Sequence, residues 1–77
     1  MKLSKKQELL ALGSALYLIG LEVEANRSRL QAIADRYEGA ETIPVTQELV
    51  DGINAFEHAN REFSRLEERY LKLFNEL

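Results

Sequence analysis

The side chains that could carry catalysis or bind a metal are few in this 77-residue chain. His58 is the only histidine; it follows Glu57 directly and precedes Glu62 by four residues. Carboxylate–imidazole metal sites in helical bundles place a glutamate three residues before the histidine, and Ala55 occupies that position. The chain has no cysteine, which excludes thiolate ligands, thiol nucleophiles and disulfides. We therefore expect no metal site, no catalytic residues and no cofactor, and interpret the surroundings of His58 as a solvated helix face.

Six arginines could form a face that binds phosphate or nucleic acid. They are Arg27, Arg29, Arg36, Arg61, Arg65 and Arg69, and acidic residues stand among them. The chain has 10 Lys and Arg against 13 Asp and Glu, a formal net charge of −3. Because affinity for nucleic acid depends on clustered positive charge, we expect a mixed, solvated face. An RNA-binding hairpin dimer is kept as the second alternative function.

The nine residues Thr46-Gln-Glu-Leu-Val-Asp-Gly-Ile-Asn54 resemble the Ser-Gln-Glu-Leu-Asp segment of the small helical-hairpin aspartyl-phosphate phosphatases of sporulation control. The resemblance implies a phosphatase-like regulator of a phospho-protein that acts at the start of the second helix. However, Val50 occupies the position of that family's essential aspartate, and Asp51 is displaced by about 100° around the helix. This function is the first alternative, and we do not assign the chain to the family.

One break divides the chain. Residues 39–45 contain Gly39, which suits the C-terminal cap of a helix, and Pro44, the only proline, which disfavours helix at the residue before it. No repeat or linker suggests a further division. We therefore expect residues 1–77 to form a single domain.

Capping signals mark the start of a helix on each side of this break. Ser4 and Gln7 have the spacing of a capping box, and Thr46 is a suitable N-cap. These signals predict an all-α fold of two helices, at about 5–38 and 47–76. The short connection makes the two helices an antiparallel hairpin.

Each predicted helix carries a repeat in which intervals of three and four residues alternate, as in supercoiled helices. We expect the two repeats to face each other along the whole hairpin. In the register set by the loop, Asn26 and Asn60 share one layer, where an amide pair would fix the alignment. The alternative is that one or both turn to the edge and meet water. The repeats are Leu9, Leu12, Leu16, Ile19, Val23, Asn26, Leu30, Ile33 and Tyr37 in the first helix, and Leu49, Ile53, Phe56, Asn60, Phe63, Glu67, Tyr70, Phe74 and Leu77 in the second. The predicted layers include Val23–Phe63 and Leu16–Tyr70.

Three residues within the predicted helices have two interpretations each. Burial of Glu67 would raise the pKa of its carboxyl and make it a functional candidate. Alternatively, the second helix rotates slightly, so that Leu66 takes the core position and Glu67 faces water; we favour this interpretation. We interpret Gly13 and Gly20 as points of close approach between helices, the alternative being simple tolerance of glycine.

The chain has more apolar residues than a two-helix hairpin can cover. Residues 9–21 contain no charge. Burying the four apolar side chains that point outward from this stretch would contribute about 6–12 kcal/mol, against an estimated 4–15 kcal/mol for association. These four side chains alone roughly offset that cost, and the flanking leucines of the second helix tip the balance toward association. We therefore expect the hairpin to dimerise into a four-helix bundle, with a tetramer as the alternative. The expected interface residues are Leu10, Tyr17, Leu18 and Leu21 in the first helix, and Leu66, Leu71 and Leu73 in the second.

The N-terminal region resembles a secretory signal, because Lys2, Lys5 and Lys6 precede an apolar stretch. Gln7 and Glu8 interrupt the junction between charge and apolar residues, and the helical repeat continues far beyond the stretch. The uncharged stretch has 13 residues, whereas about 20 span a bilayer. We expect a buried helix, no membrane association and a cytoplasmic location.

The leading hypothesis is a non-enzymatic, self-associating helical module for interaction or regulation. Its partner would be its own copy, as a dimer, or a helix of another protein. Neither a membrane nor a nucleic acid is the expected partner.

Overall fold

The computed structural model describes residues 2–77 and consists of two antiparallel helices. Helix α1 spans Lys5–Asp35, and helix α2 spans Gln47–Asn75. No strand occurs within the described residues. The predicted all-α hairpin is confirmed, although α1 ends three residues earlier than predicted because a tight turn follows Asp35.

Both helices begin at the predicted capping residues. The hydroxyl of Ser4 accepts a hydrogen bond from the amide of Gln7 at 3.2 Å, and the side chain of Gln7 accepts one from the amide of Ser4 at 2.9 Å. The hydroxyl of Thr46 accepts a hydrogen bond from the amide of Leu49 at 3.2 Å. These bonds satisfy amides that the first turn of a helix leaves without partners.

The chain reverses direction in the segment after α1. The amide of Tyr37 donates to the carbonyl of Ala34 at 3.0 Å, and the amide of Ala40 donates to the carbonyl of Tyr37 at 3.0 Å. Gly39 adopts a φ of +86°, which favours glycine because a Cβ would be strained there. The positive φ at Gly39 turns the chain away from the axis of α1.

The hairpin is a single layer of helices with little interior. Its principal extents are 54 × 21 × 14 Å and its radius of gyration is 17.1 Å, whereas a compact domain of this length has about 11–12 Å. Four apolar side chains are buried among the described residues: Leu12, Ile33, Ala59 and Leu73. No polar or charged side chain of residues 2–77 is buried.

The face of α2 that contacts α1 differs from the predicted face at every second position. The half-buried residues Leu49, Phe56, Phe63 and Tyr70 belong to the predicted repeat. The positions that alternate with them lie one residue earlier than predicted. Gly52, Ala59, Leu66 and Leu73 face α1, whereas Ile53, Asn60, Glu67 and Phe74 are exposed.

Small residues explain this rotation of α2. A Cβ added to Gly52 would lie 3.0 Å from Cδ2 of Leu30 and 3.9 Å from Cδ1 of Ile33. Because Gly52 and Ala59 have little side chain, the bulky residues of α1 pack against the backbone of α2. A prediction based on hydrophobicity gives glycine and alanine little weight. Their small size nevertheless allows close approach, which buries more area on the opposite helix.

Two aromatic rings of α2 lie against glycines of α1. Cε2 of Tyr70 lies 3.5 Å from the position of a Cβ on Gly13, and Cε2 of Phe63 lies 3.6 Å from that on Gly20. The predicted partners of these rings lie three positions later in α1, and one of them, Val23, lines a groove together with Phe63. At 3.5–3.6 Å an alanine would fit at Gly13 and Gly20, so the hairpin itself does not require glycine there.

The structure does not bring Asn26 and Asn60 together. The amide of Asn26 donates to the backbone carbonyl of Glu22 on its own helix at 3.0 Å, and Asn60 is exposed. Within residues 2–77 no hydrogen bond joins the two asparagine side chains. The rotation of α2 accounts for the separation, because it buries Ala59 and leaves Asn60 at the exposed edge, as in the alternative interpretation.

We expect Gly20→Ala to raise the free energy of unfolding by about 0.5–1 kcal/mol, because alanine is favoured over glycine inside a helix. Gly52→Ala should give a smaller gain or a loss, since its Cβ would meet Leu30 at 3.0 Å. Urea unfolding followed by circular dichroism measures both values. Equal gains at the two positions would contradict the close approach at Gly52.

Replacement of Asn60 by alanine should change the free energy of unfolding by less than about 0.5 kcal/mol, as is usual for exposed positions. Urea unfolding measures this change, and Asn26→Ala is measured beside it as the matched variant. A loss above about 1 kcal/mol at Asn60 would mean that its amide has a buried partner, contrary to the structure.

Candidate interaction surface

An exposed apolar surface lies on α1, on the side opposite α2. We call it the outer face and define it by Leu10, Ser14, Tyr17, Leu18 and Leu21. At about 100° per residue these positions fall on one side of α1, roughly opposite the buried Leu12. The exposed fractions are 73% for Leu10, 68% for Tyr17, 63% for Leu18 and 53% for Leu21.

The predicted interface residues of α2 separate into two groups. Leu73 is 8% exposed and Leu66 is half-buried, because both pack between the helices of the hairpin. Their placement in an outward interface is therefore corrected, and the rotation of α2 is the reason. Leu71 remains 52% exposed at the side of α2. The nearby ring of Phe74, which the prediction placed inside the hairpin, is also exposed and stacks on Tyr70 with centroids 6.3 Å apart.

Ion pairs connect α1 and α2 along one edge of the hairpin. Glu8 lies 3.4 Å from Arg69, and Arg36 lies 2.8 Å from Glu48. We call the side of the hairpin that carries these two ion pairs the charged edge. A further ion pair, Lys5–Glu76 at 3.7 Å, joins the two helices near the termini.

The opposite edge carries Gly13 and Gly20 with the rings of Tyr70 and Phe63 against them. A surface cavity of about 350 Å³ opens there, lined by Gly20, Val23, Glu24, Asn60 and Phe63. The carboxylate that lines this cavity belongs to Glu24, and it accepts hydrogen bonds from Arg27 at 3.2 Å. The cavity is an open groove without a buried polar group, and it offers no arrangement for catalysis.

The candidate catalytic side chains do not converge. His58 and Glu67 are both exposed, and Glu67 is turned outward while Leu66 packs against α1. Within the described part of the chain no three His, Asp or Glu residues are placed to hold a metal ion.

The residues that carry the resemblance to a phosphatase segment form local contacts at the start of α2. Glu48 pairs with Arg36, and its hydrogen bond and negative charge raise the pKa of that guanidinium. The side chain of Gln47 donates to Asp51 at 2.8 Å. Both carboxylates are exposed and engaged with neighbouring side chains, which is the arrangement of a solvated helix terminus.

The lysines and the apolar stretch at the start of α1 do not form a membrane span. Across residues 2–77 neither helix is long and apolar enough to cross a bilayer.

Leu73 is buried and Leu71 is exposed, so alanine substitutions at these two positions compare the core with the surface. Leu73→Ala should lower the free energy of unfolding by about 2–3 kcal/mol, because it leaves a cavity between the helices. Leu71→Ala should lower it by less than about 0.5 kcal/mol in dilute protein, since its side chain stays exposed. Urea unfolding at low protein concentration measures both. Similar losses for the two variants would contradict the observed face of α2.

Comparisons of the chain with family models, with curated proteins and with solved structures find no match. The outer face of α1, with four large apolar side chains exposed at 53–73%, is the candidate interaction surface.

Proposed function

We propose that this protein is a non-enzymatic interaction module that forms a homodimer of four helices through the outer face of α1. The observation that carries the proposal is the exposure of four large apolar side chains, at 53–73%, within twelve consecutive residues that contain no charge. Scattered apolar residues are common on protein surfaces, but a contiguous apolar face is typical of an interaction site.

The free energy gained by burying the outer face is comparable with the cost of association. Full burial of a large apolar side chain contributes about 1.5–3 kcal/mol, so these partly exposed side chains contribute about 1–2 kcal/mol each. In a two-fold symmetric dimer all four side chains are buried in both copies, which brings the favourable free energy to about 8–16 kcal/mol. Association costs an estimated 4–15 kcal/mol, so the balance permits a dimer of moderate affinity.

Self-association also agrees with the absence of a chemical site in residues 2–77. The titratable side chains of the described residues lie on the surface, and three ion pairs of the hairpin join its own two helices. A protein with this distribution of charged side chains would bind a partner through its apolar surface. The function that follows is to bring two copies together, in regulation or assembly.

We expect sedimentation velocity to show a dimer at micromolar concentration. Leu10→Ser combined with Leu21→Ser should weaken dimerisation by at least about 100-fold, because two buried leucines are lost from each of two chains. Val45→Ser is the control, since Val45 is exposed in the connection far from the outer face. Circular dichroism confirms that every variant keeps its helices.

A folded monomer at all concentrations would refute the proposed homodimer. A folded monomer would also be observed if the outer face bound a helix of another protein instead of a second copy. Equal weakening by Val45→Ser and by the double variant would also refute the assignment, because it would place the contact outside the outer face.

A further inference from the structure

The outer face of α1 lies opposite the side that contacts α2. A second copy bound to the outer face therefore touches α1 and leaves α2 on the outside. A square bundle would instead join the hairpins through their edges. One is the charged edge with Glu8–Arg69 and Arg36–Glu48, and the other exposes Asn60 and Glu67 beside Ile53 and Phe74. Both edges would therefore bring charged or amide side chains into the contact.

We infer that the outer face of α1 pairs with the outer face of a second copy running in the opposite direction, which gives the helix order α2–α1–α1–α2. This inference rests on the proposed self-association and specifies its geometry. It names the partner of the outer face as helix α1 of the same protein.

The spacing of the outer face is the first argument for opposite directions. Leu10, Ser14, Tyr17 and Leu21 follow one another at intervals of four, three and four residues, and this sequence of intervals reads the same in reverse. An antiparallel pair centred between residues 15 and 16 therefore places Leu10 opposite Leu21 of the second copy and Ser14 opposite Tyr17. A large side chain then meets a small one at Ser14, which allows even packing.

A parallel pair would match each of these residues with itself. Two Ser14 side chains would face each other at one level and two Tyr17 rings at another. The small pair would leave space between the helices, and the large pair would hold them apart. The antiparallel pair avoids both effects.

The charge distribution is the second argument. Lys5 and Lys6 lie at the start of α1, whereas Glu22 and Glu24 lie just beyond the outer face at its other end. In the antiparallel pair Lys6 comes close to Glu24 of the second copy on each side of the two-fold axis. In a parallel pair the lysines of both copies would stand side by side and repel.

Disulfide cross-linking distinguishes the two directions, and the chain has no cysteine of its own. Gln7→Cys and Glu24→Cys lie at the two ends of the outer face and leave its apolar residues intact. In the antiparallel pair, residue 7 faces residue 24 of the second copy, while two copies of residue 7 are about 25 Å apart along the axis. We expect the equimolar mixture to form the mixed disulfide dimer under mild oxidation, and each variant alone to form none.

Charge exchange supplies a second measurement. Glu24→Lys should weaken the dimer about two- to fivefold at low salt, and adding Lys6→Glu to the same chain should restore the dissociation constant. Restoration requires residues 6 and 24 to meet between copies, because they are about 27 Å apart within one helix.

Three results would overturn the inference. A dimer in which Gln7→Cys cross-links with itself is parallel, which refutes the direction but not the proposed function. A dimer that forms no disulfide with either variant or their mixture does not use the outer face. A monomer in sedimentation refutes self-association, and the antiparallel arrangement with it.

Discussion

The structure depends on one geometric limit: two helices packed side by side can shield only the faces that they turn to each other. The hairpin is 14 Å thick in its shortest dimension, which is about the diameter of one helix with its side chains. Within residues 2–77, only four apolar side chains are buried. Many other large apolar side chains remain exposed, among them the four of the outer face, at 53–73%.

The remaining surfaces of the hairpin differ in chemistry because heptad positions repeat along both helices. The charged edge joins α1 to α2 through Glu8–Arg69 and Arg36–Glu48. The opposite edge has Gly13 and Gly20 beneath aromatic rings, and its polar residues are solvated. Exposed ion pairs contribute little to stability, so their main effect is to keep these edges polar. The outer face of α1 carries no charge, and the proposed function depends on this contrast with the edges.

The candidate interface could be predicted for α1 and only in part for α2, for a physical reason. Leu10 and Tyr17 lie outside the alternating three- and four-residue repeat of α1, so their outward direction follows from helical periodicity alone. Leu66 and Leu73 depend on how α2 is rotated against its neighbour. Gly52 decides that rotation through its lack of a side chain, and a hydrophobic pattern gives glycine no weight.

The sequence by itself determined the local elements: two helices, their capped starts at Ser4 and Thr46, and the turn at Gly39. These features depend on contacts within about four residues, and the residue types alone specify them. Only the tertiary structure decided the rotation of α2, the close approach at Gly52 and the separation of Asn26 from Asn60. Those outcomes depend on how closely two backbones can approach, which is a property of both helices together.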